Sequence, residues 1–169
     1  ETSEAYMGLA DVHQYPPSKQ ALEESDVVIM IGGKLDNQMN FGNPPLFPKS
    51  TKLICVNGSH EEVELNRAAD KLLLSDPSAF LDVLLEAGGS DRWRGDPNWF
   101  DLQRTRRRDW VAQTLAELDD SGSDSAVHPL QLALDVQKAM EPNDWLIIDG
   151  GNTHFWSEIA INVAGWQGK

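Results

Sequence analysis

The chain is poor in cysteine, in basic residues and in long apolar runs. Its single cysteine, Cys55, can form no internal disulfide, and we expect it to fill a core position in a reducing, cytoplasmic compartment. Lysine and arginine number 14 against 27 aspartates and glutamates, and this net charge of -13 argues against nonspecific binding to nucleic acids or anionic membranes. No apolar run approaches the roughly 20 residues that span a bilayer, and residues 1–10 carry no signal-peptide pattern.

The common catalytic and metal-binding motifs are absent as well. The four histidines and the one cysteine lack the spacing of metal ligands. The sequence contains neither a Gly-x-Ser-x-Gly elbow nor a Ser-His-Asp set. It also lacks a Walker loop and the third spaced glycine of a dinucleotide fingerprint. We therefore predict no catalytic residue and no metal ligand within these 169 residues.

Three short apolar runs alternate with helical patterns in the first half of the chain. The runs occupy residues 27–31, 52–56 and 71–74. Helices are predicted at residues 18–24, 59–62 and 77–86. The last of these has Asp76 as its N-cap, Pro77 at its first position and Gly88-Gly89 as its stop. Uninterrupted apolar strands separated by helices predict a parallel sheet that is covered on both faces.

The carboxyl ends of these predicted strands carry small and polar residues. Because the strands are parallel, their carboxyl ends meet at one edge of the sheet, which we call the sheet rim. Its residues are Gly32, Gly33, Asn57, Ser75 and Asp76. Ligands of parallel sheets bind beyond this edge, so the sheet rim is a candidate binding site.

The second half of the chain predicts further helices. Residues 98–118 predict one helix, and residues 119–125 contain only Asp, Ser and Gly, which is typical of an exposed linker. His128-Pro129 begins another helix, with proline at its first position. The apolar residues that we expect to be buried on this helix are Leu132, Val136, Ala139 and Met140.

The most informative stretch follows that helix. An apolar run at residues 145–149 ends in Gly150-Gly151, and an apolar periodic stretch begins after Asn152-Thr153. This pattern predicts a buried strand, a tight turn and the start of a helix. Glycines let the backbone approach a ligand, and the free N–H groups of a helix N-terminus suit a phosphate or diphosphate. The alternative interpretation is an ordinary strand-to-helix turn that binds nothing.

Three stretches together resemble one enzyme superfamily. They are ALEESDVVIMIGGKLD at residues 21–36 with FGNPP at 41–45, KLICVNGSHEEVELN at 52–66, and the run from His128 to Trp156. Their order and spacing resemble the thiamine-diphosphate-dependent acetolactate synthase superfamily, which includes 2-hydroxyacyl-CoA lyases, oxalyl-CoA decarboxylases and benzaldehyde lyase. The first two resemble that superfamily's central domain. The third resembles the opening of its C-terminal, diphosphate-binding domain.

The resemblance implies an α/β fold in several domains. A parallel-sheet, Rossmann-like central domain would occupy residues 1–89, and a helical linker residues 90–126. The opening strand and helix of a second α/β domain, which binds thiamine diphosphate, would occupy residues 127–169. The family's activating glutamate would lie before residue 1 and its Mg²⁺ motif after residue 169. The implied partners are the remaining domains of a parent chain and further copies in a homodimer or homotetramer.

The family's cofactor contacts carry over to specific positions. The diphosphate-binding positions correspond to Gly151, Asn152, Thr153 and, less directly, His154. His154 is alternatively an ordinary residue of a first helical turn. Some relatives bind FAD or ADP at positions that correspond to the sheet rim and to Gly58. Relatives that bind a nucleotide commonly carry an acidic residue, which accepts from ribose hydroxyls, where this chain has Asn57. We therefore predict a vestigial nucleotide site rather than FAD or ADP binding.

The resemblance implies a thiamine-diphosphate-dependent lyase or transferase. Such an enzyme makes or breaks a C–C bond next to the carbonyl group of a small 2-oxo acid or acyl-CoA substrate, and the protein binds and orients the cofactor. We expect this chain to be inert alone, since the activating glutamate and the Mg²⁺ ligands would lie outside it. A different class stays open, namely a stand-alone Rossmann-type nucleotide-binding or interaction module without catalysis.

Overall fold

The chain divides into two compact units. The computed structural model describes residues 5–10, 12–63, 65–92, 95–120 and 126–165, with residues 89–92 described by their backbone alone. We call Lys19–Trp99 the sheet unit, and Glu1–Ser18 with Phe100–Lys169 the helical unit. The three predicted domain segments, residues 1–89, 90–126 and 127–169, have other bounds than these two units, and they stay a prediction.

The sheet unit is built on three parallel strands. They are β1 (Val27–Ile31), β2 (Lys52–Asn57) and β3 (Lys71–Leu74), in the order β1-β2-β3. Val27 lies opposite Lys52 in the first pair, and Ile54 lies opposite Lys71 in the second. The predicted fold class, α/β with a parallel sheet, is confirmed, and so are the three strands.

Four helical segments precede, connect or follow the strands. They are α1 (Pro16–Glu24), a 3-10 segment (Asn37–Gly42), α2 (His60–Val63) and α3 (Pro77–Arg92). Asp76 caps α3 as predicted, with Oδ1 accepting two first-turn N–H groups at 2.9 and 3.1 Å. The predicted stop at Gly88-Gly89 is wrong, since α3 continues to Arg92. A glycine costs a helix about 1 kcal/mol without breaking it, and the next proline is Pro97.

The sheet is covered unevenly. In the central strand β2, Leu53 and Val56 are fully buried, because α2 and α3 both contact this strand. All four residues of β3 are exposed, and Val27 and Ile29 of β1 are 49% and 45% exposed. The predicted coverage of both faces therefore fits β2 and not the two edge strands.

Arg67 organises the long connection between β1 and β2. Its guanidinium donates to the carbonyl oxygens of Gly42, Phe47, Pro48 and Thr51 at 3.2, 3.2, 3.3 and 2.8 Å. These acceptors lie in turns that have no ladder of their own. One charged side chain therefore satisfies four backbone groups of an irregular loop.

The helical unit contains α5 (Pro129–Ala139), α6 (Asn152–Ala164) and most of α4 (Pro97–Asp120). His128 caps α5 by accepting the N–H of Leu130 at Nδ1, 3.2 Å away, and Pro129 occupies the first turn as predicted. Residues 121–125 of the predicted linker lie outside the described residues. Within the described part of the chain, no helix is long and apolar enough to cross a membrane.

The predicted buried stripe of α5 is wrong. Leu132 and Val136 are 58% and 40% exposed, whereas Gln137 is buried. The Gln137 amide, oriented so that its nitrogen donates to the Gly165 carbonyl at 3.1 Å, accepts the Ile161 N–H at 3.0 Å. An apolar pattern marks one side of a helix but does not identify its neighbour, and here α5 meets α6 through a buried amide.

Residues 145–149 form no strand, contrary to prediction. Trp145 and Ile147 are 87% and 91% exposed, while Leu146 and Ile148 are half-buried. This alternation is that of a strand, but a strand needs a hydrogen-bonded neighbour, and the described residues provide none. The run does not pair with the sheet of β1, β2 and β3, and the second sheet that it was expected to begin is not formed within the described residues.

Candidate functional site

Helix α6 begins at Asn152. We call residues 149–154, which include the turn before the helix and its first three residues, the helix corner. Gly151 is the N-cap of α6, with φ 91° and ψ -160°, and no side chain caps the first turn. His154 donates its N–H to the carbonyl of Gly151 at 3.1 Å. The N–H groups of Asn152 and Thr153 meet no acceptor among the described residues. Two donors are therefore available at the positive end of a 13-residue helix.

The two glycines of the helix corner lie in open space. A Cβ atom built on Gly150 or on Gly151 would meet no heavy atom within 4 Å among the described residues. The backbone explains the glycine at position 151, because its φ of 91° is strained for other residues. Gly150 has no positive φ, so neither its conformation nor its surroundings require a glycine.

The side chains of the helix corner differ in their freedom. Asn152 and Thr153 are exposed, and the Thr153 carbonyl accepts the Ser157 hydroxyl at 2.9 Å. His154 is half-buried, and its Nε2 lies 3.0 Å from Oε1 of Glu158, one turn further along α6. The imidazole is therefore held against its own helix, whereas Asn152 and Thr153 face outward.

Asp149 brings a negative charge to the same corner. Its Oδ1 accepts the N–H of Gly150 at 2.8 Å, which closes a local turn. An anion bound here would lie near this carboxylate, so its binding would depend on the donors of α6 or on a cation.

An apolar groove of about 400 Å³ adjoins the helix corner. It lies between α5, α6 and the unpaired run at residues 145–149. Residues that line it include Leu132, Val136, Leu146, Ile148, Thr153 and Trp156. The groove accounts for the exposure of Leu132 and Val136, which face it and not a neighbouring helix.

The sheet rim is assembled as the topology predicts. Gly32 donates its N–H to the Val56 carbonyl at 2.7 Å, and Ser75 donates its N–H to the Asn57 carbonyl at 3.1 Å. Asp76 is occupied in capping α3. Gly58 lies in open space, with no atom within 4 Å of a Cβ built on it. The six predicted residues therefore meet at one edge, but most of their polar groups already have partners.

Asn57 is the centre of a closed network at the sheet rim. It is 6% exposed, and its amide nitrogen donates to the Gly33 carbonyl at 3.1 Å and to Glu62 Oε2 at 3.4 Å. Its Oδ1 accepts the Ser59 N–H at 2.8 Å. The other Glu62 oxygen lies 3.4 Å from Lys34 Nζ. Both hydrogens of the amide and its oxygen are therefore engaged within the protein, at a side chain that solvent barely reaches.

Sequence reasoning missed Lys34 and Glu62 in this network. Glu62 was placed only at the end of the helix predicted at residues 59–62, and Lys34 was given no role. The signal was present in their position, since one follows Gly32-Gly33 and the other lies five residues after Asn57. Opposite charges next to two strand ends indicate a pair across the sheet rim.

Candidate metal ligands and nucleophiles do not cluster in the described residues. No group of three or more His, Cys, Asp or Glu side chains there could hold a metal ion. Cys55 is buried in β2, and burial raises the pKa of its thiol. A neutral, buried thiol fits the expected core role.

Comparison with known proteins identifies the family. The family described as "Thiamine pyrophosphate enzyme, central domain" matches residues 1–84. The human protein 2-hydroxyacyl-CoA lyase 2 is 26% identical over 136 residues, covering 78% of this chain and 21% of its own length. The mouse protein 2-hydroxyacyl-CoA lyase 1 is 25% identical over 138 residues, covering 79% of this chain and 23% of its own length.

A bacterial relative gives the same result. The probable acetolactate synthase of Mycobacterium bovis is 25% identical over 133 residues, covering 79% of this chain and 23% of its own length. The chain thus spans about a fifth of the length of the curated relatives that it matches. The matched region, the parallel sheet and the order of the motifs agree, and the chain belongs to the thiamine pyrophosphate enzyme family.

Proposed function

We propose that these residues are part of a larger thiamine-diphosphate-dependent enzyme that makes or breaks a C–C bond next to a carbonyl group. The observation that carries this proposal is the open helix corner. Among the described residues, two N–H groups at the positive end of α6 have no acceptor, and nothing lies close to the two glycines next to them. A diphosphate is an anion with several acceptor oxygens, which is the ligand that such a helix start favours.

Each residue of the helix corner has a distinct role in this proposal. Gly151 turns the chain and, with Gly150, leaves room for the diphosphate. Asn152 and Thr153 donate their N–H groups, and their exposed side chains add polar contacts. His154 is held by Glu158 at 3.0 Å and shapes the edge of the site without reaching across it.

The chemistry of the cofactor limits what this chain contributes. Thiamine diphosphate supplies a carbanion sink when bound, and the protein binds and orients it. We assign the ligands of Mg²⁺ to other parts of a parent chain, as the family resemblance implies. Asp149 makes such a cation useful, because its carboxylate repels a diphosphate that is not neutralised.

The relatives support a substrate class and an assembly. Their names are those of 2-hydroxyacyl-CoA lyases and acetolactate synthases, which supports a 2-oxo acid or an acyl-CoA as substrate of the parent enzyme. The family resemblance supports a homodimer or homotetramer, with the remaining domains of the parent chain as partners. Because this chain spans about a fifth of its relatives, we propose that it is inert by itself.

The alternative function, a stand-alone nucleotide-binding module, is less well supported. It needs an open sheet rim, whereas Asn57 is buried there and bonded to Gly33, Ser59 and Glu62. Calorimetric titration of the chain with ADP and with FAD should therefore show no saturable binding. Binding of either nucleotide that is lost in Asn57→Leu would favour the module and a functional rim.

The diphosphate assignment is tested by titrating thiamine diphosphate into the apo form of the parent enzyme. Asn152→Ala removes a side-chain hydrogen bond to a charged group. Such bonds contribute about 1.5–3 kcal/mol, and the Kd should rise by roughly ten- to a hundredfold. Gly150→Ala should weaken binding similarly, because its Cβ crowds the phosphate. Gly150 gives a cleaner test than Gly151, since alanine at 151 also strains the backbone.

Ser75→Ala is the matched control. Ser75 is a small polar residue of the sheet rim, so its substitution should leave the Kd for thiamine diphosphate unchanged. Circular dichroism checks that each variant is folded. If folded Asn152→Ala and Gly150→Ala variants bind thiamine diphosphate like the parent, the corner is an ordinary turn.

Inertness of the isolated chain has its own test. The purified 169 residues, supplied with thiamine diphosphate and Mg²⁺, should neither decarboxylate nor condense 2-oxo acids. Turnover that requires both additions would contradict this expectation.

A further inference from the structure

The buried side chain of Asn162 links α6 to the residues near the N-terminus of the chain. Asn162 lies on α6, is 1% exposed, and accepts the backbone N–H of Leu9 at its Oδ1, 2.8 Å away. Its amide nitrogen meets no partner among the described residues. Burying an amide with half of its hydrogen bonds is costly, so the bond to Leu9 is the polar contact that explains an asparagine here.

The chain beside Leu9 is shaped for this close approach. Gly8 has a φ of 105°, and a Cβ on it would lie 2.6 Å from Oδ1 of Asn162 and 2.9 Å from Cε1 of Tyr15. A residue with a side chain would have to move away from α6. Glycine at position 8 therefore permits both the turn and the contact.

Residues 6–10, which we call the N-terminal segment, are also held by α4. Tyr15 is fully buried, its hydroxyl donates to the Met7 carbonyl at 2.5 Å, and its ring meets the Trp110 ring edge-on at 4.9 Å. The Arg107 guanidinium lies over the Tyr6 ring, 5.9 Å from its centre. The N-terminal segment thus connects α4 to the C-terminal turn of α6.

Helix α6 is fixed far from the helix corner and open at it. Its last turn is held twice, by the buried Gln137 of α5, which bonds to Ile161 and Gly165, and by the bond of Asn162 to Leu9. Asn162 lies ten residues beyond Asn152, or about 15 Å along the axis. Because a helix moves as a rigid element, these two buried amides determine where its first N–H groups point.

We propose that Asn162 and the N-terminal segment are positioning elements for the cofactor, which place the donors of the helix corner from a distance. The inference rests on the proposed function, in which those donors bind the diphosphate. It assigns to residues 6–10, which the family match includes with the central domain, a role in cofactor binding on α6.

The test uses the parent enzyme and two variants that break the same contact from opposite sides. Gly8→Ala displaces the N-terminal segment, and Asn162→Leu removes the acceptor while keeping the volume. Each should raise the Kd for thiamine diphosphate by between about threefold and thirtyfold, the range typical of changes along a coupling network. Activity at saturating cofactor should fall much less, because the bound geometry is restored by the cofactor itself.

A double variant tests whether the two residues act through one contact. If they do, the Kd of the double variant Gly8→Ala/Asn162→Leu for thiamine diphosphate should be no higher than the higher Kd of the two single variants, because the same contact can be lost only once. Multiplied effects would overturn the proposal. If one variant does not fold, the other still tests the prediction by itself.

A matched control separates positioning from general loss of stability. Val56→Ala empties a buried position in the sheet unit, so it lowers the melting temperature without changing any residue of α6 or of the N-terminal segment. Its cofactor Kd should equal that of the parent. An equal rise in Val56→Ala and Gly8→Ala would show that stability alone is measured and would overturn the proposal.

The outcome is distinguishable from failure of the proposed function. If Gly150→Ala weakens cofactor binding while Gly8→Ala and Asn162→Leu do not, the diphosphate assignment holds and the positioning role is wrong. If none of the three affects the Kd, both are wrong.

Discussion

The chain contains two Gly-Gly corners that look alike in sequence and differ in structure. Gly32-Gly33 follows the apolar run of β1, and Gly150-Gly151 follows the apolar run at residues 145–149. A Cβ built on Gly32 would lie 3.3 Å from Pro77, and a Cβ built on Gly33 would lie 3.1 Å from Met30. At the second pair the same construction meets nothing within 4 Å among the described residues.

The difference shows what a glycine pair can mean. At the sheet rim the glycines let Pro77 and Met30 pack closely against the backbone. The side chain of Asn57 there is hydrogen-bonded within the protein. At the helix corner the glycines border open space, and donors remain unpaired. The neighbours of such a pair, and not the pair itself, decide whether it serves the fold or a ligand.

The largest effect should come from Arg67, which supports the closed region. In Arg67→Lys, one ammonium cannot reach the four carbonyl oxygens that the guanidinium serves. We expect a loss of about 2–3 kcal/mol in the free energy of unfolding, because charged hydrogen bonds are lost and backbone acceptors stay unpaired. Urea unfolding followed by circular dichroism measures it, with Arg104→Lys on the exposed side of α4 as control. Equal stability of both variants would contradict this role.

The same substitution at the two corners sharpens the comparison. Asn57→Ala should cost about 1–3 kcal/mol of unfolding free energy, because the Gly33 carbonyl and the Ser59 N–H lose their partner. Asn152→Ala should change stability by less than about 0.5 kcal/mol, since its side chain is exposed. Urea unfolding of both variants gives the two numbers. A larger loss for Asn152→Ala would mean that the helix corner has a structural function.

A glycine pair of variants gives a smaller contrast. Gly32→Ala should destabilise by about 1–2 kcal/mol, because its φ of 73° is strained for alanine. Gly150→Ala should be close to neutral for stability, within about 0.5 kcal/mol. Thermal unfolding of the two variants measures the difference, and it should be absent if Gly32 can relax its backbone without cost.

The smallest effect concerns acid stability at Asp70. Its carboxylate accepts the Leu53 N–H at 3.0 Å and lies 2.9 Å from Lys52 Nζ, and these contacts hold the pKa of Asp70 below its ordinary value of 3.8. A lowered folded pKa contributes stability above pH 3.8 that is lost as the pH falls further. The wild type should therefore lose its advantage over Asp70→Asn below that pH. A difference that does not depend on pH would exclude this linkage.

The sheet unit could be predicted from sequence because its signals are local. Continuous β-branched runs gave β1 and β2, and Asp76-Pro77 gave the start of α3. The failures depend on contacts between distant residues. No local pattern shows that Asn57 would bond to the Gly33 carbonyl, or that Leu9 would bond to Asn162.

The helical unit was harder to predict for the same reason. The run at residues 145–149 has the composition and alternation of a strand, yet pairing depends on a second strand that composition cannot supply. The stripe of Leu132 and Val136 was identified as apolar, but only the packing of α5 shows that it lines a groove. The start of α6 after Gly150-Gly151 was predicted correctly, since a glycine turn before an apolar helix is a local signal. The binding role of these residues stays a prediction.

The unpaired run at residues 145–149 has a consequence for handling the chain in solution. Trp145 and Ile147 are 87% and 91% exposed. The backbone groups of residues 145–148 meet no partner within the described part of the chain, and chains associate at edges of this kind. The net charge of -13 opposes such encounters through mutual repulsion. That repulsion reaches about 10 Å at 0.1 M salt and only about 3 Å at 1 M. We therefore expect the chain to stay monomeric at low ionic strength, where its negative charges keep molecules apart, and to associate through residues 145–149 at high ionic strength.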